Sequence, residues 1–226
     1  MSWADELRDR ASAFGFSPAV QRFYFLRHGE TAENRARIIQ GQADVPLNDD
    51  GLSQAKRAST ILSDHPVTRI VASDLQRVTM TVAPLVETNA LALAADPGLR
   101  ERGIGDLQGQ PIPENLWAHT GNGVEPIDTF VDRILSTLTD MLAEEALLIG
   151  SHGGVLRVIA NALPLPVSNW AYVNALPLRF DRSEDSWTVR ALVDEGDGFD
   201  ACGSLPEPLQ SWGGQPTFHK PVGEIA

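Results

Sequence analysis

The chain has 226 residues, 42% of them hydrophobic, and a formal net charge of −12. That length suits one domain with a substantial core. The acidic balance argues against nucleic acid or an anionic membrane as partner, because both call for clustered Lys and Arg, but it leaves room for a small anionic substrate in a locally positive pocket.

Residues 1–21 form an N-terminal extension, with a short amphipathic helix expected over residues 3–14 carrying Trp3, Leu7 and Phe14 on or near one face. It is expected to pack on the outside of the domain and is a candidate for contacts in a homodimer. With Asp5, Glu6 and Asp9 it lacks the apolar core of a signal peptide. No apolar run along the chain is long enough to span a bilayer. Arg22–Leu26 is the first strand, mostly apolar and so buried on both faces. A loop runs on through Gly41 to Pro46, and Asn48 is the N-cap of a helix over about Asp49–Leu62. Thr68–Ala72 reads as a short strand. Leu75–Thr88 reads as a helix with an internal Pro84, and Leu91–Ala94 as another short strand.

A Gly- and Pro-rich connection spans Gly103–Val124, and residues 109–130 form a short lid in which Trp117 and His119 are the candidate covering side chains. Asp128–Glu144 has the periodicity of a helix. The strand Ala146–Ile149 leads into a helix at Val155–Leu163, and Ala175–Phe180 with Trp187–Val193 form a terminal strand pair. The domain is taken as residues 22–194, and 195–226 as an irregular tail. Cys202, the only cysteine, sits in that tail, so no internal disulfide is possible and a reducing cytoplasm is expected. Alternating strands and helices imply an α/β fold: a three-layer α/β/α sandwich on a mixed, mostly parallel sheet.

Three strand-to-helix junctions then share one crevice, because ligands of such sheets sit at the C-terminal strand ends. The first supplies Arg27 and His28. The second passes through Ser73 and Asp74 to Arg77, in the first turn of its helix. The third supplies His152, and Gly153-Gly154 opens a helix whose free amides suit an anion. Two guanidiniums, two imidazoles and a helix N-terminus make a phosphate cradle that needs no metal. His28 is the candidate nucleophile, since flanking arginines favour its neutral form. Arg27, Arg77 and His152 supply charge around the phosphoryl oxygens. Glu101 is the candidate general acid and base for the leaving group. His65 and His219 read as solvent-facing, and no histidine pair has metal-ligand spacing.

These residues also carry a resemblance. Leu26-Arg27-His28-Gly29-Glu30-Thr31 with Asn34, Gly41-Gln42-Ala43-Asp44, Gly51-Leu52-Ser53-Gln54-Ala55, Ser73-Asp74-Leu75-Gln76-Arg77, Glu101 with Gly105-Asp106-Leu107-Gln108-Gly109, and Ser151-His152-Gly153-Gly154 occur in the order and spacing of the histidine phosphatase superfamily, the phosphoglycerate mutase-like proteins. The chain resembles that family from about Phe23 to Phe180. The resemblance implies a phosphorylated His28, a phosphate pocket of Arg27, Arg77, His152 and Gly153 with Asn34 assisting, Glu101 as acid/base, and no cofactor. Met80 stands where the family often has Gln, and Ile104 where the mutases usually have Tyr. The mutases carry a long insertion with paired arginines, whereas the interval from Gly109 to Phe130 has no Arg or Lys. A cytoplasmic, histidine acid phosphatase-type phosphomonoesterase acting on a small-molecule phosphate ester is therefore expected. A cofactor-dependent phosphoglycerate mutase and a non-catalytic phosphate-ester binding relative are the alternatives.

Overall fold

Phe23, Tyr24, Phe25 and Leu26 form the middle of strand β1 (Arg22–Arg27), and all four are buried. Only a strand covered on both faces reads this way, and β1 is central in the sheet. The computed structural model describes residues 2–143, 145–184, 186–193 and, for the backbone alone, 196–200. Besides β1 the strands are β2 (Arg69–Ala72), β3 (Ala92–Ala95), β4 (Leu147–Ser151), β5 (Pro177–Ser183), β6 (Ser186–Val193) and β7 (Gly196–Asp200). They lie in the order β3-β2-β4-β1-β5-β6-β7.

The pairings of β3, β2, β4 and β1 are parallel, and those that attach β5, β6 and β7 are antiparallel. The sheet is thus mixed, and its parallel half is the half that carries the strand ends of interest. Residues 196–200, expected to be irregular tail, pair with β6. Their Gly-Asp-Gly-Phe-Asp sequence has poor strand propensity, and pairing with the free edge of β6 overrides it. Cys202 and His219 lie outside the described residues.

The helices are α1 (Trp3–Phe14), α2 (Ala32–Ala36), α3 (Asp49–Ser63), α4 (Gln76–Asn89), α5 (Ile127–Met141) and α6 (Gly153–Ala162). Connections through α3 and α4 step along the sheet toward β3, and those through α5 and α6 step back. Right-handed crossovers between the parallel strands put α3 and α4, packed together, on the face opposite α5, with which α1 and α6 pack, and this gives the three layers. Asn48 caps α3 as its sequence suggests, accepting a 2.8 Å bond from Gly51 N–H. Helix α4 continues through Pro84. The short α2 was hidden in the expected loop; Thr31 and Asn34 form its capping box. His65, expected to face solvent, is half-buried with its ring 5.7 Å from that of Tyr24. Among the described residues no helix is long and apolar enough to cross a membrane.

Helix α1 begins at a Ser2–Asp5 capping box and ends on Gly15 in the left-handed region (φ 72°). Its Leu7 and Ala11 are buried and belong to the same core as α5 and α6. The extension therefore spends its apolar face on its own domain. Leu7→Ala is expected to lower unfolding stability by about 2–5 kcal/mol, the usual cost of emptying a buried leucine site. Urea unfolding at constant m-value checks this, and a change under about 0.5 kcal/mol would mean that α1 folds apart from the core.

Candidate active site

The parallel strand ends bring Arg27, His28, Arg77 and His152 together. Arg27 closes β1, and His28 N–H donates 3.0 Å to the Ser151 carbonyl at the end of β4. Arg77 is the second residue of α4, and His152 is the N-cap of α6. All four side chains are buried, with His152 at 0% exposure. The two imidazoles face one another with centroids 5.3 Å apart.

Each group is oriented by backbone carbonyls or a hydroxyl. Arg77 donates to the Gly41 carbonyl at 2.8 Å and the Ala43 carbonyl at 2.7 Å, and Arg27 donates to the Tyr172 carbonyl. His28 Nδ1 lies 2.8 Å from the Gly29 carbonyl. A carbonyl only accepts, so Nδ1 carries the proton and Nε2 keeps its lone pair. His152 Nε2 lies 2.9 Å from Ser73 Oγ. Nδ1 of His152 and Nε of Arg77 are buried with no hydrogen-bond partner among the described residues. Orphaned nitrogens around His28 are what an oxyanion satisfies.

Burial, followed by the positive charge of Arg77 and Arg27, holds His28 neutral far below the ordinary imidazole range. Burial and Arg77 do the same to His152. Desolvation brings Arg27 and Arg77 each down to about 10, and both remain cations at neutral pH.

Glu101 does not pair with either flanking arginine side chain. Arg100 binds Asp74, and Arg102 donates to the carbonyls of Glu125 (2.8 Å) and Trp117 (2.9 Å). Glu101 instead lines the same pocket as His28, with Oε2 accepting from Gly154 N–H at 3.0 Å and Oε1 from Arg102 N–H at 2.9 Å. The first turn of α6, expected to offer free amides, therefore already holds a carboxylate. Glycine is what admits it, because a Cβ on Gly154 would stand 2.0 Å from Glu101 Oε1. Gly153 remains at the pocket, next to Arg27. Asn34 has two roles: its Oδ1 accepts from Thr31 N–H at 3.2 Å in the α2 cap, and the residue also lines the pocket.

Trp117 lines the pocket with Ile104, Ile112 and Leu116, whereas His119 is exposed and does not reach it. The lid lacks cations, but the pocket does not, since Arg102 and Arg157 also line it. Sequence reasoning passed over Arg157, although it stands four residues after Gly153 and so on the same face of α6. It also missed Tyr172 and Asn174, whose Nδ2 donates 2.9 Å to the His28 carbonyl. These two precede β5, and only the antiparallel return of β5 beside β1 brings them here. Among the described residues no three His, Cys, Asp or Glu side chains group as a metal site.

The family model of the histidine phosphatase superfamily (branch 1) matches residues 23–195. The chain belongs to that superfamily. A probable phosphoglycerate mutase GpmB of Yersinia pestis (strain Pestoides F) is 29% identical over 204 residues, covering 81% of this chain and 95% of its own length. An agropine synthesis reductase of Rhizobium rhizogenes is 32% identical over 181 residues, but the match covers 76% of this chain and only 42% of that protein. Among solved structures, a mycobacterial glucosyl-3-phosphoglycerate phosphatase in complex with VO3 superposes with a TM-score of 0.66 at 28% identity, covering 80% of this chain and all (100%) of that one. The superfamily is one of phosphatases and mutases, enzymes of phosphoryl transfer.

The buried imidazoles set a pH dependence. Unfolding returns His28 and His152 to the ordinary value of 6.5, so below that pH the unfolded chain binds more protons than the folded one. Their contribution to stability is present above pH 6.5 and is lost as pH falls, by up to about 1.4 kcal/mol per pH unit for each histidine. Denaturant unfolding at pH 5.0–6.5 checks this, and the double variant His28→Gln/His152→Gln is expected to flatten the slope.

Proposed function

We propose that the chain is a phosphomonoester hydrolase working through a phosphohistidine on His28, without a metal. The observation that carries this reading is the His28 tautomer. Nδ1 is tied to the Gly29 carbonyl, which leaves Nε2 as the nucleophilic nitrogen of a ring held neutral between two arginines.

In the first step Nε2 bonds to phosphorus as the ester P–O bond breaks, and Glu101 gives a proton to the leaving oxygen. Arg27, Arg77, His152 and Asn34 hold the phosphoryl oxygens, whose charge stabilisation is most of what such a transfer asks of a protein. In the second step water attacks phosphorus, Glu101 takes its proton, and the P–Nε2 bond breaks to release phosphate. The glucosyl-3-phosphoglycerate phosphatase similar to this chain supports hydrolysis as the reaction and a small phosphate ester as the substrate class.

His28→Ala is expected to lower turnover of p-nitrophenyl phosphate at least about a thousandfold, as loss of a covalent nucleophile does. The assay is run in EDTA. Brief reaction with labelled ester followed by a denaturing quench is expected to leave acid-labile, alkali-stable phosphate on His28 and none on the variant. A variant that keeps its turnover contradicts the mechanism. Binding of the ester without turnover in the unaltered protein favours a non-catalytic relative.

The mutase reading is favoured by the resemblance to GpmB and by Arg157 at the pocket. A mutase must retain a bisphosphorylated intermediate against water, which calls for several cations beyond the cradle. Here the lid offers Glu114 and Glu125, and Arg102 is committed to carbonyls. With 3-phosphoglycerate, free phosphate is therefore expected to form faster than 2-phosphoglycerate, with or without added 2,3-bisphosphoglycerate. Isomer outpacing phosphate by about tenfold, roughly 1.4 kcal/mol in the transition state, assigns a mutase instead.

A further inference from the structure

The arginines of this site differ in what they do with their N–H groups. Arg77 and Arg102 donate to backbone carbonyls, as does Arg27, and Arg100 and Arg133 bind carboxylates. Arg157 does neither among the described residues, and its buried Nε has no hydrogen-bond partner. Aromatic faces hold it instead. Its guanidinium carbon lies 5.5 Å from the Trp3 ring, 5.5 Å from the Trp117 ring and 5.2 Å from the Tyr172 ring. Trp3 itself stacks on Trp117, with centroids 5.6 Å apart and planes 27° from parallel.

Cation–π contacts of this kind fix a guanidinium by its faces and leave its N–H edges to a ligand. Arg157 stands four residues along α6 from Gly153, about 6 Å of helix rise. Helical side chains lean toward the N-terminus, so its side chain is directed back toward the phosphate cradle. Trp3 does not line the pocket. It belongs to α1, which precedes the matched family region.

We infer that Trp3 is a positioning residue for leaving-group recognition. It clamps the Arg157 guanidinium against Trp117 and Tyr172 so that the pocket takes a phosphate ester whose leaving group carries a second anion, such as a carboxylate, a few ångströms beyond the phosphoryl group. This rests on the phosphatase reading above. The N-terminal helix is then part of the site, because the stack is incomplete without its ring.

The test compares para-carboxyphenyl phosphate with para-tolyl phosphate, which differ by an anion replacing a methyl group. The expected ratio of kcat/KM is at least about tenfold in favour of the carboxylate, the effect of one charge-assisted hydrogen-bonded contact. Arg157→Gln is expected to bring the ratio close to one. Trp3→Ala is expected to lower it at least about threefold through KM, and Trp3→Phe to restore it. Leu7→Ala loosens the same helix but keeps the ring, so it is expected to keep the ratio, which separates the clamp from stability. A ratio near one in the unaltered protein, or one indifferent to Trp3→Ala, overturns the inference. If neither ester turns over, calorimetric titration with the matching benzylphosphonates decides. Tenfold tighter binding of the carboxylate compound then rejects only the phosphatase reading, and equal affinities reject the Trp3 clamp.

Discussion

The structure is organised around two guanidiniums confined at the end of a parallel sheet and oriented there by backbone carbonyls. Arg27 and Arg77 are both buried, and desolvation opposes their charge strongly enough to lower each to about 10. Backbone carbonyls make that burial tolerable. The loop that gives Gly41 and Ala43 to Arg77 and the turn that gives Tyr172 to Arg27 are thereby placed as the pocket walls. Burial, reinforced by the same two charges, keeps His28 neutral, so the cations that would hold a phosphoryl group would also help prepare its acceptor.

Glu101 is the counterpart of this arrangement. It sits on the first turn of α6, where Gly154 leaves space for it, and its charge acts favourably on both Arg27 and Arg77. A carboxyl group anchored by two backbone N–H groups is held in one place, which fits the acid/base role proposed for it. The amides that helix geometry offers to an incoming anion are thus partly used to orient Glu101.

The lid and the N-terminal helix meet over this floor. Arg102 ties the turn at Trp117 to the segment carrying Glu101, and Trp3 meets Trp117 from the other side. The mouth of the pocket is apolar on the lid and cationic on α6, so charge selection belongs to a helix in the rigid core rather than to the connection above it.

How much of this was legible in the sequence varies with the physical origin of each feature. The buried strands, their helices and the order of the strand ends follow from apolar patterning and from the handedness of parallel crossovers, and these placed Arg27, His28, Arg77 and His152 at one crevice. Local capping gave α3, since Asn48 needs only residues next to it. The strand β7 was not legible, because its residues are poor strand formers and pair only when β6 presents an edge. The partners of the cradle carbonyls, the seat of Glu101 on α6 and the approach of Tyr172 and Asn174 join segments distant in the chain. Arg157 was visible as a residue on the face of α6, yet its aromatic clamp requires α1, the lid and the turn before β5 to converge. The sequence by itself determined which chemical groups stand at the strand ends. Tertiary structure decided which of their donors are already taken, because that depends on contacts with no local signature.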